Sequence, residues 1–321
     1  MSQDARDAAI ESARGTGWEL VLAAAQLAER LDDKGLARTF AFEGGRLTSV
    51  PHEARDAVLT WEPGRGWQAR VTRDDPRADL LDLYLPLFSA TTRRPIVIGH
   101  LGQSLDGFIA TESGDSQFVT GQANVVHIHW LRGLCDAIVV GAGTVAADDP
   151  RLTTRHVPGP HPLRVIFDPS RRLTPHFRVF TDSEAPTLYV CRQEHVAVGG
   201  TRMGHAEVAG VSSAGPGGAP AALLRTLHDR GCARVFIEGG GVTVSTFLEA
   251  GLLDRLHLAV APVIIGSGRP AIRLRPPTQL RDCRRPAYRV YRMGPDVLFD
   301  CDLRADGQDG SHASLDVHRV I

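Results

Sequence analysis

From Ile96 onward, short apolar runs alternate with segments of helical periodicity, and this alternation restricts the fold more than any other feature. IVIGHL, AIVVG, LRVIFD (Leu163–Asp168), TLYVC (Thr187–Cys191), RVFIEG (Arg234–Gly239) and LHLAVAPVII (Leu256–Ile265) read as strands. Thr120–Leu134, Ala219–Arg230 and Val242–Ala250 read as helices. The first of these has Thr120 as N-cap and an apolar line through Val126, Trp130 and Leu134. Strands joined through helices run largely parallel, because a parallel pair needs a long crossover that then covers the sheet face. An α/β domain with a mixed, mostly parallel sheet is therefore expected. The segment YRVYRMGPDVLFDCDL (Tyr288–Leu303), turning at Gly294-Pro295, predicts an antiparallel edge.

Residues 1–92 read differently. WELVLAAAQLAERL (Trp18–Leu31) has helical spacing, strands follow at Thr39–Phe42, Ala57–Trp61 and Trp67–Val71, and DLLDLYLPLF (Asp79–Phe88) predicts a second helix. No metal-ligand spacing occurs there. We expect a small α/β accessory domain over 1–92, bounded by TTRRP (Thr91–Pro95), then a main domain over 93–304 and a flexible tail over 305–321.

A hydrophobic content of 43% supports a packed core, and a formal net charge of -1 argues against a generic nucleic-acid or membrane binder. No apolar run approaches the ~18 residues of a membrane span, and the polar, acidic start MSQDARDAAIESARG reads as having no signal peptide. The cysteines, Cys135, Cys191, Cys232, Cys283 and Cys301, form no C-x-x-C, which fits reduced thiols in a cytoplasmic protein.

Two glycine motifs follow strands. Gly141-Ala142-Gly143-Thr144-Val145-Ala146 satisfies G-x-G-x-x-A, but a dinucleotide fingerprint needs a long helix after it. Asp148-Asp149-Pro150 ends any helix within about one turn. Gly239, Gly240 and Gly241 stand between a strand and a helix, where backbone amides can seat a phosphate. Tight strand-to-helix packing explains those glycines equally well. Glu238 favours the ligand, since ligands in open α/β sheets lie beyond the strands' C-terminal ends. His205-Ala206-Glu207 matches half of a zinc-deaminase signature without its P-C-x-x-C, and is assigned to a loop. His127 and His129, two apart on a helix, cannot share a face. No metal site is expected, and no G-x-S-x-G nucleophile elbow occurs.

In order along the chain, SLDGFIATESGDSQFVT, LRGLCDAIVVGAGTVAADDPRLTTR, IEGGGVTVSTFLEAGLLDRLHLAVAPVIIGSGR and GPDVLF resemble the reductase domain of the bacterial riboflavin-biosynthesis deaminase–reductase. That domain belongs to the dihydrofolate reductase-like superfamily, and the resemblance covers about Arg94 to Leu303. It implies a three-layer α/β/α domain, NADPH as cofactor, a homodimer, and hydride transfer to C1′ of a ribosylaminopyrimidine 5′-phosphate. Carried over by motif, Gly102, Phe118, Thr144, Asp148, Gly239, Gly240, Gly241, Val242 and Thr243 face the cofactor. His100, Ser116, Arg132, Leu152, Arg155 and Glu238 face the substrate, with Glu238 and Asp148 as the groups that favour a protonated imine. Arg171 and Arg172, just beyond the Leu163–Asp168 strand, are candidates for the cofactor's 2′-phosphate.

The sequence also departs from that pattern. His100 stands where the family usually has lysine, Phe118 where tryptophan is common, and Pro169 where a serine usually meets the cofactor. Residues 1–92 do not read as a deaminase. A stand-alone reductase, a relative recruited to another ribosylamino or heterocyclic substrate, and a non-catalytic nucleotide-binding regulatory protein are the readings left open.

Overall fold

The computed structural model describes residues 3–117 and 119–306. Its internal contacts divide the chain after Ile96.

The N-terminal unit runs α1 (Gln3–Lys34), β1 (Arg38–Glu43), β2 (Arg46–Val50), β3 (Ala57–Glu62), β4 (Gly66–Ala69) and α2 (Ala78–Phe88). Its strands form an antiparallel sheet in the order β2-β1-β3-β4. Trp61 and Trp67 pair across β3 and β4 with ring centroids 5.3 Å apart. The Trp67 indole N–H donates to the Ala24 carbonyl at 3.1 Å, tying sheet to helix. β2 was not anticipated, because RLTSV lies at the sheet edge with Arg46, Thr48 and Ser49 exposed and so lacks an apolar alternation. Around the expected boundary, the Thr91 hydroxyl donates to Asp32 at 2.9 Å and Arg94 pairs with Asp32 at 3.0 Å. That segment belongs to the N-terminal unit.

The second unit runs β5 (Ile96–Ser104), β6 (Phe108–Thr111), α3 (Gln122–Leu134), β7 (Ala137–Gly141), α4 (Ala142–Asp148), β8 (Leu163–Phe167), α5 (Arg178–Thr181), β9 (Thr187–Arg192) and α6 (Gln193–Gly199). It continues through β10 (Arg202–Met203), β11 (Ala206–Val211), α7 (Gly218–Asp229), β12 (Arg234–Ile237), α8 (Gly241–Glu249), β13 (Arg255–Ala261), β14 (Gly268–Pro270), β15 (Pro286–Met293) and β16 (Asp296–Asp306). The main sheet has the order β10-β11-β9-β8-β7-β12-β5-β13-β16-β15. β11, β9, β8, β7 and β12 are successively parallel, as are β5 and β13, while β16 and β15 close one edge as the expected antiparallel hairpin.

The strands bury both faces. Val139, Val165, Leu188, Val235 and Ile237 pack with Leu223 and Leu227 of α7 and Val244 and Phe247 of α8. On the other face Tyr189 meets Phe180 of α5, and His257 of β13 meets His127 of α3. Helix, sheet and helix give the expected three layers. The tail expected over 305–321 lies mostly outside the described residues; Asp306 still belongs to β16.

Several expectations need correction. α3 begins at Gln122 after an extended Gly121, not after a Thr120 cap, and the Gly121 N–H is held by Asp296 at 2.7 Å. Its buried residues include Asn124, His127 and Leu131, while Val126 and Trp130 are only half-buried. The reason is a polar strip on the sheet beneath it. His100, His257, Asp300 and Arg289 sit side by side on β5, β13, β16 and β15. His127 Nε2 lies 3.1 Å from His257 Nδ1, His257 Nε2 lies 3.2 Å from Asp300, and Arg255 and Arg289 both donate to the Asp300 carboxylate. Burial lowers all three histidines, His100 to about 3, so they pack as neutral rings. Burial alone would raise the Asp300 carboxyl, but His257 and Arg255 outweigh it and hold it well below the ordinary range.

β13 stops at Ala261, and Val263 and Ile264 are exposed. The short strands β6 and β14 pair with each other and carry no period long enough to read. Glu207 lies on β11, not in a loop, and pairs with Arg230, so its acid is explained without a metal. α4 runs seven residues, longer than expected, before Asp149 turns left-handed at φ 40°.

Candidate active site

The two glycine turns lie at the C-terminal ends of the neighbouring strands β7 and β12, and they interlock. Gly239 has φ 101°, and a Cβ there would meet Thr144 Oγ1 at 2.9 Å. Reciprocally, a Cβ on Gly141 would meet Thr243 Oγ1 at 2.2 Å. Each turn thus leaves room for the other turn's threonine. The Gly240 N–H also donates to Thr144 Oγ1 at 3.1 Å. The glycines thus let the N-terminal end of α8 approach α4. Val242, in the first turn of α8, is 65% exposed beside that opening.

Glu238 and Arg132 form the charged centre. Arg132, near the C-terminal end of α3, donates from Nε at 2.9 Å and from Nη2 at 2.6 Å to the two Glu238 oxygens, and from Nη1 to the Thr153 carbonyl at 3.3 Å. Both side chains are largely shielded from water, so the bidentate pair fixes the carboxylate's direction. Asp148, exposed at the end of α4, has its carboxyl raised by desolvation, with Arg269 opposing and Glu238 reinforcing the shift. Arg155 is exposed, and its Nη1 donates to Thr153 Oγ1 at 3.0 Å.

A cleft of about 250 Å³ is lined by Ala142, Gly143, Ala146, Arg172, Leu173, Thr174 and Phe177. The Arg172 side chain is 72% exposed, with Nε 3.6 Å from Asp168. A guanidinium at the wall of a cleft that opens on a glycine turn suits an anionic dinucleotide.

The structure brings together Arg132, Asp148, Arg155, Glu238, Thr144 and the Gly239–Thr243 turn. It separates others. His100 is buried beneath α3, where its Nε2 donates to Asn124 Oδ1 at 2.9 Å, so its ring does not reach an open cleft. The Leu152 side chain is fully buried at φ 58°, anchoring its loop rather than facing a ligand. The Arg171 guanidinium donates to the carbonyls of His195, Gly199 and Gly200, closing the end of α6, and does not line the cleft. Gly102 is half-buried, and a Cβ there would meet Thr120 Cγ2 at 2.8 Å. Ser116 lies on an exposed loop, and Phe118 falls outside the described residues.

Sequence reasoning missed three contributors. Arg269 of β14 lies against Gly114 and acts on Asp148. His129 accepts the Arg155 N–H at 2.9 Å. Arg164 is fully buried and donates to the Arg151 carbonyl at 3.3 Å. An arginine inside the apolar strand LRVIFD was the one readable signal among these. Among the described residues no cluster of His, Cys, Asp or Glu could hold a metal ion.

An open α/β sheet with interlocked glycine turns and a mixed-charge centre beyond its strand ends is the arrangement in which α/β enzymes hold their ligands. The chain belongs to the RibD C-terminal domain family, which it matches over residues 95–299. It is 36% identical over 231 residues to the 2,5-diamino-6-ribosylamino-4(3H)-pyrimidinone 5′-phosphate reductase of Methanothermobacter thermautotrophicus, covering 66% of this chain and 99% of that protein. It is 32% identical over 179 residues to the riboflavin biosynthesis protein RibD of Aquifex aeolicus, covering 56% of this chain but only 49% of that protein. The solved structure of Acinetobacter baumannii RibD matches with a TM-score of 0.55 at 26% identity, covering 71% of this chain and 63% of that one. The family fold is thus confirmed, and with it membership among reductases.

Proposed function

We propose that this protein reduces the ribosyl group of a ribosylaminopyrimidine 5′-phosphate to a ribityl chain, using NADPH. The observation that carries the reading is the Arg132–Glu238 pair with Arg155 near it, which sets a carboxylate and an exposed guanidinium close together. The Methanothermobacter thermautotrophicus relative, matched over 99% of its length, carries the name of such a reductase.

In this reading Arg155 binds the 5′-phosphate, Arg132 holds Glu238 in one orientation, and Glu238 and Asp148 favour the protonated imine of the ring-opened sugar. NADPH supplies the hydride that adds to C1′. The first turn of α8 would receive the cofactor's pyrophosphate, and Arg172 its 2′-phosphate. The chain's contribution is chiefly alignment and charge placement. We extend the reading to a homodimer, supported by exposed Leu105, Val263 and Ile264 at neighbouring strand ends, and to the cytoplasm, supported by five unpaired cysteines.

The test is NADPH oxidation with the 2,5-diamino pyrimidinone nucleotide and its deaminated counterpart side by side. Turnover of either supports the reading, and the preferred one fixes the order of deamination and reduction. NADPH binding with no turnover of either would sink it.

A further inference from the structure

We propose that His129 is a positioning residue for substrate phosphate binding, acting by accepting the backbone N–H of Arg155. The inference rests on the reading of Arg155 as the phosphate ligand.

The loop from Asp149 to Arg155 has no regular secondary structure, yet it is anchored along its length. The Asp149 carboxylate accepts the Arg178 N–H at 2.7 Å, and buried Arg164 donates to the Arg151 carbonyl at 3.3 Å. Leu152 is sealed in the core, and Arg132 donates to the Thr153 carbonyl at 3.3 Å. The last two main-chain N–H groups then donate to imidazoles: Thr154 to His161 Nδ1 at 3.2 Å and Arg155 to His129 Nδ1 at 2.9 Å.

His129 and Arg132 lie three residues apart on α3 and so share a face. One helix therefore grips the loop twice, once by a carbonyl and once by an N–H. Through Arg132 the same helix also holds Glu238. α3 thus fixes the distance between the residue that binds phosphate and the carboxylate near the reacting carbon. To accept at Nδ1 the His129 ring must carry its proton on Nε2. Burial, then Arg132, His156 and Arg155, push His129 down to about 3, so the acceptor persists throughout the neutral range. His129 is buried, and its ring stands edge-on to His156 with centroids 4.5 Å apart, which leaves it little freedom to turn away.

The test uses H129N, H129Q and R155A in the full-length protein. Each is assayed for kcat and KM with the phosphorylated substrate, and for inhibition by ribose 5-phosphate. Asparagine places an amide oxygen where Nδ1 stood; glutamine keeps a polar side chain of similar size but carries its acceptor one bond farther out. H129N should keep KM and the inhibition constant within about twofold of wild type. H129Q should raise both by about tenfold while kcat changes little, since a backbone donor loses its partner and Arg155 its register. Wild-type behaviour of H129Q, with R155A impaired, would overturn this inference alone. H129N as impaired as H129Q would also overturn it, by showing that ring packing and not the acceptor matters. An unchanged inhibition constant in R155A would overturn the phosphate reading of Arg155, and this inference with it.

Discussion

Arg132 of α3 and Glu238 beyond β12 are joined by two hydrogen bonds of 2.9 and 2.6 Å across 106 positions of sequence. Breaking one side leaves a shielded charge uncompensated, which costs more than the pair contributes net. E238A should lose about 3 kcal/mol of stability in a denaturant titration and reduce kcat/KM by about 100-fold. Replacing both residues, as R132M/E238L, should recover much of the stability without the activity. Recovery of activity by the double variant would remove the pair from the mechanism.

Arg171 and Arg172 are neighbours in sequence with opposite roles in space. R172A should raise KM for NADPH by about tenfold, as expected for one lost charge-assisted contact, and leave KM for NADH nearly unchanged. R171A should keep NADPH affinity and lose thermal stability, because three backbone carbonyls near α6 lose their donor. Steady-state kinetics with both cofactors, beside thermal melts, separates the two.

Asp300 makes a pH prediction. Its carboxyl is held below its unfolded value, so the folded state binds fewer protons than the unfolded state in that window. Its stabilising effect is therefore fully present above the ordinary aspartate pKa of about 3.9 and is lost as pH falls through the lower, folded value. D300N should be about 3 kcal/mol less stable at neutral pH, since buried Arg255 loses its fully buried anion and keeps only the partly exposed Asp302. It should also lose less stability than wild type on acidification. Parallel acid titrations followed by circular dichroism would show the difference.

The interlocked turns predict a compensating pair. G141A brings a methyl group within 2.2 Å of Thr243 Oγ1, and should destabilise by about 1–3 kcal/mol. The G141A/T243A double variant removes the clash, because the threonine Cβ itself would lie at an ordinary 3.5 Å. It should regain stability but bind NADPH more weakly than wild type, as read by titration of cofactor fluorescence.

What the sequence disclosed follows from range. Strands such as AIVVG and RVFIEG carry their burial in their own composition, and the glycine turns lie beside them. The apolar line of α3 does not by itself mark its buried face, since Val126 and Trp130 are only half-buried. Asn124 and His127 turn inward only because His100, His257 and Asp300, remote in sequence, line the sheet beneath them. Leu152, given a substrate role only by the resemblance, has a left-handed backbone and a side chain sealed in the core, and nothing local in PRLTTR announces that. The difference between Arg171 and Arg172 depends on where α6 ends. The short strands β6 and β14, which bring Arg269 near Asp148, are visible only as a pair.

The most direct test of the central claim is hydride transfer itself. The enzyme would be incubated with the ribosylaminopyrimidine 5′-phosphate and NADPH deuterated at both C4 positions, and the product read by mass spectrometry and NMR. The account predicts a ribitylamino product carrying a single deuterium at C1′. A product without deuterium, or no reduction by cofactor-saturated enzyme, would contradict it.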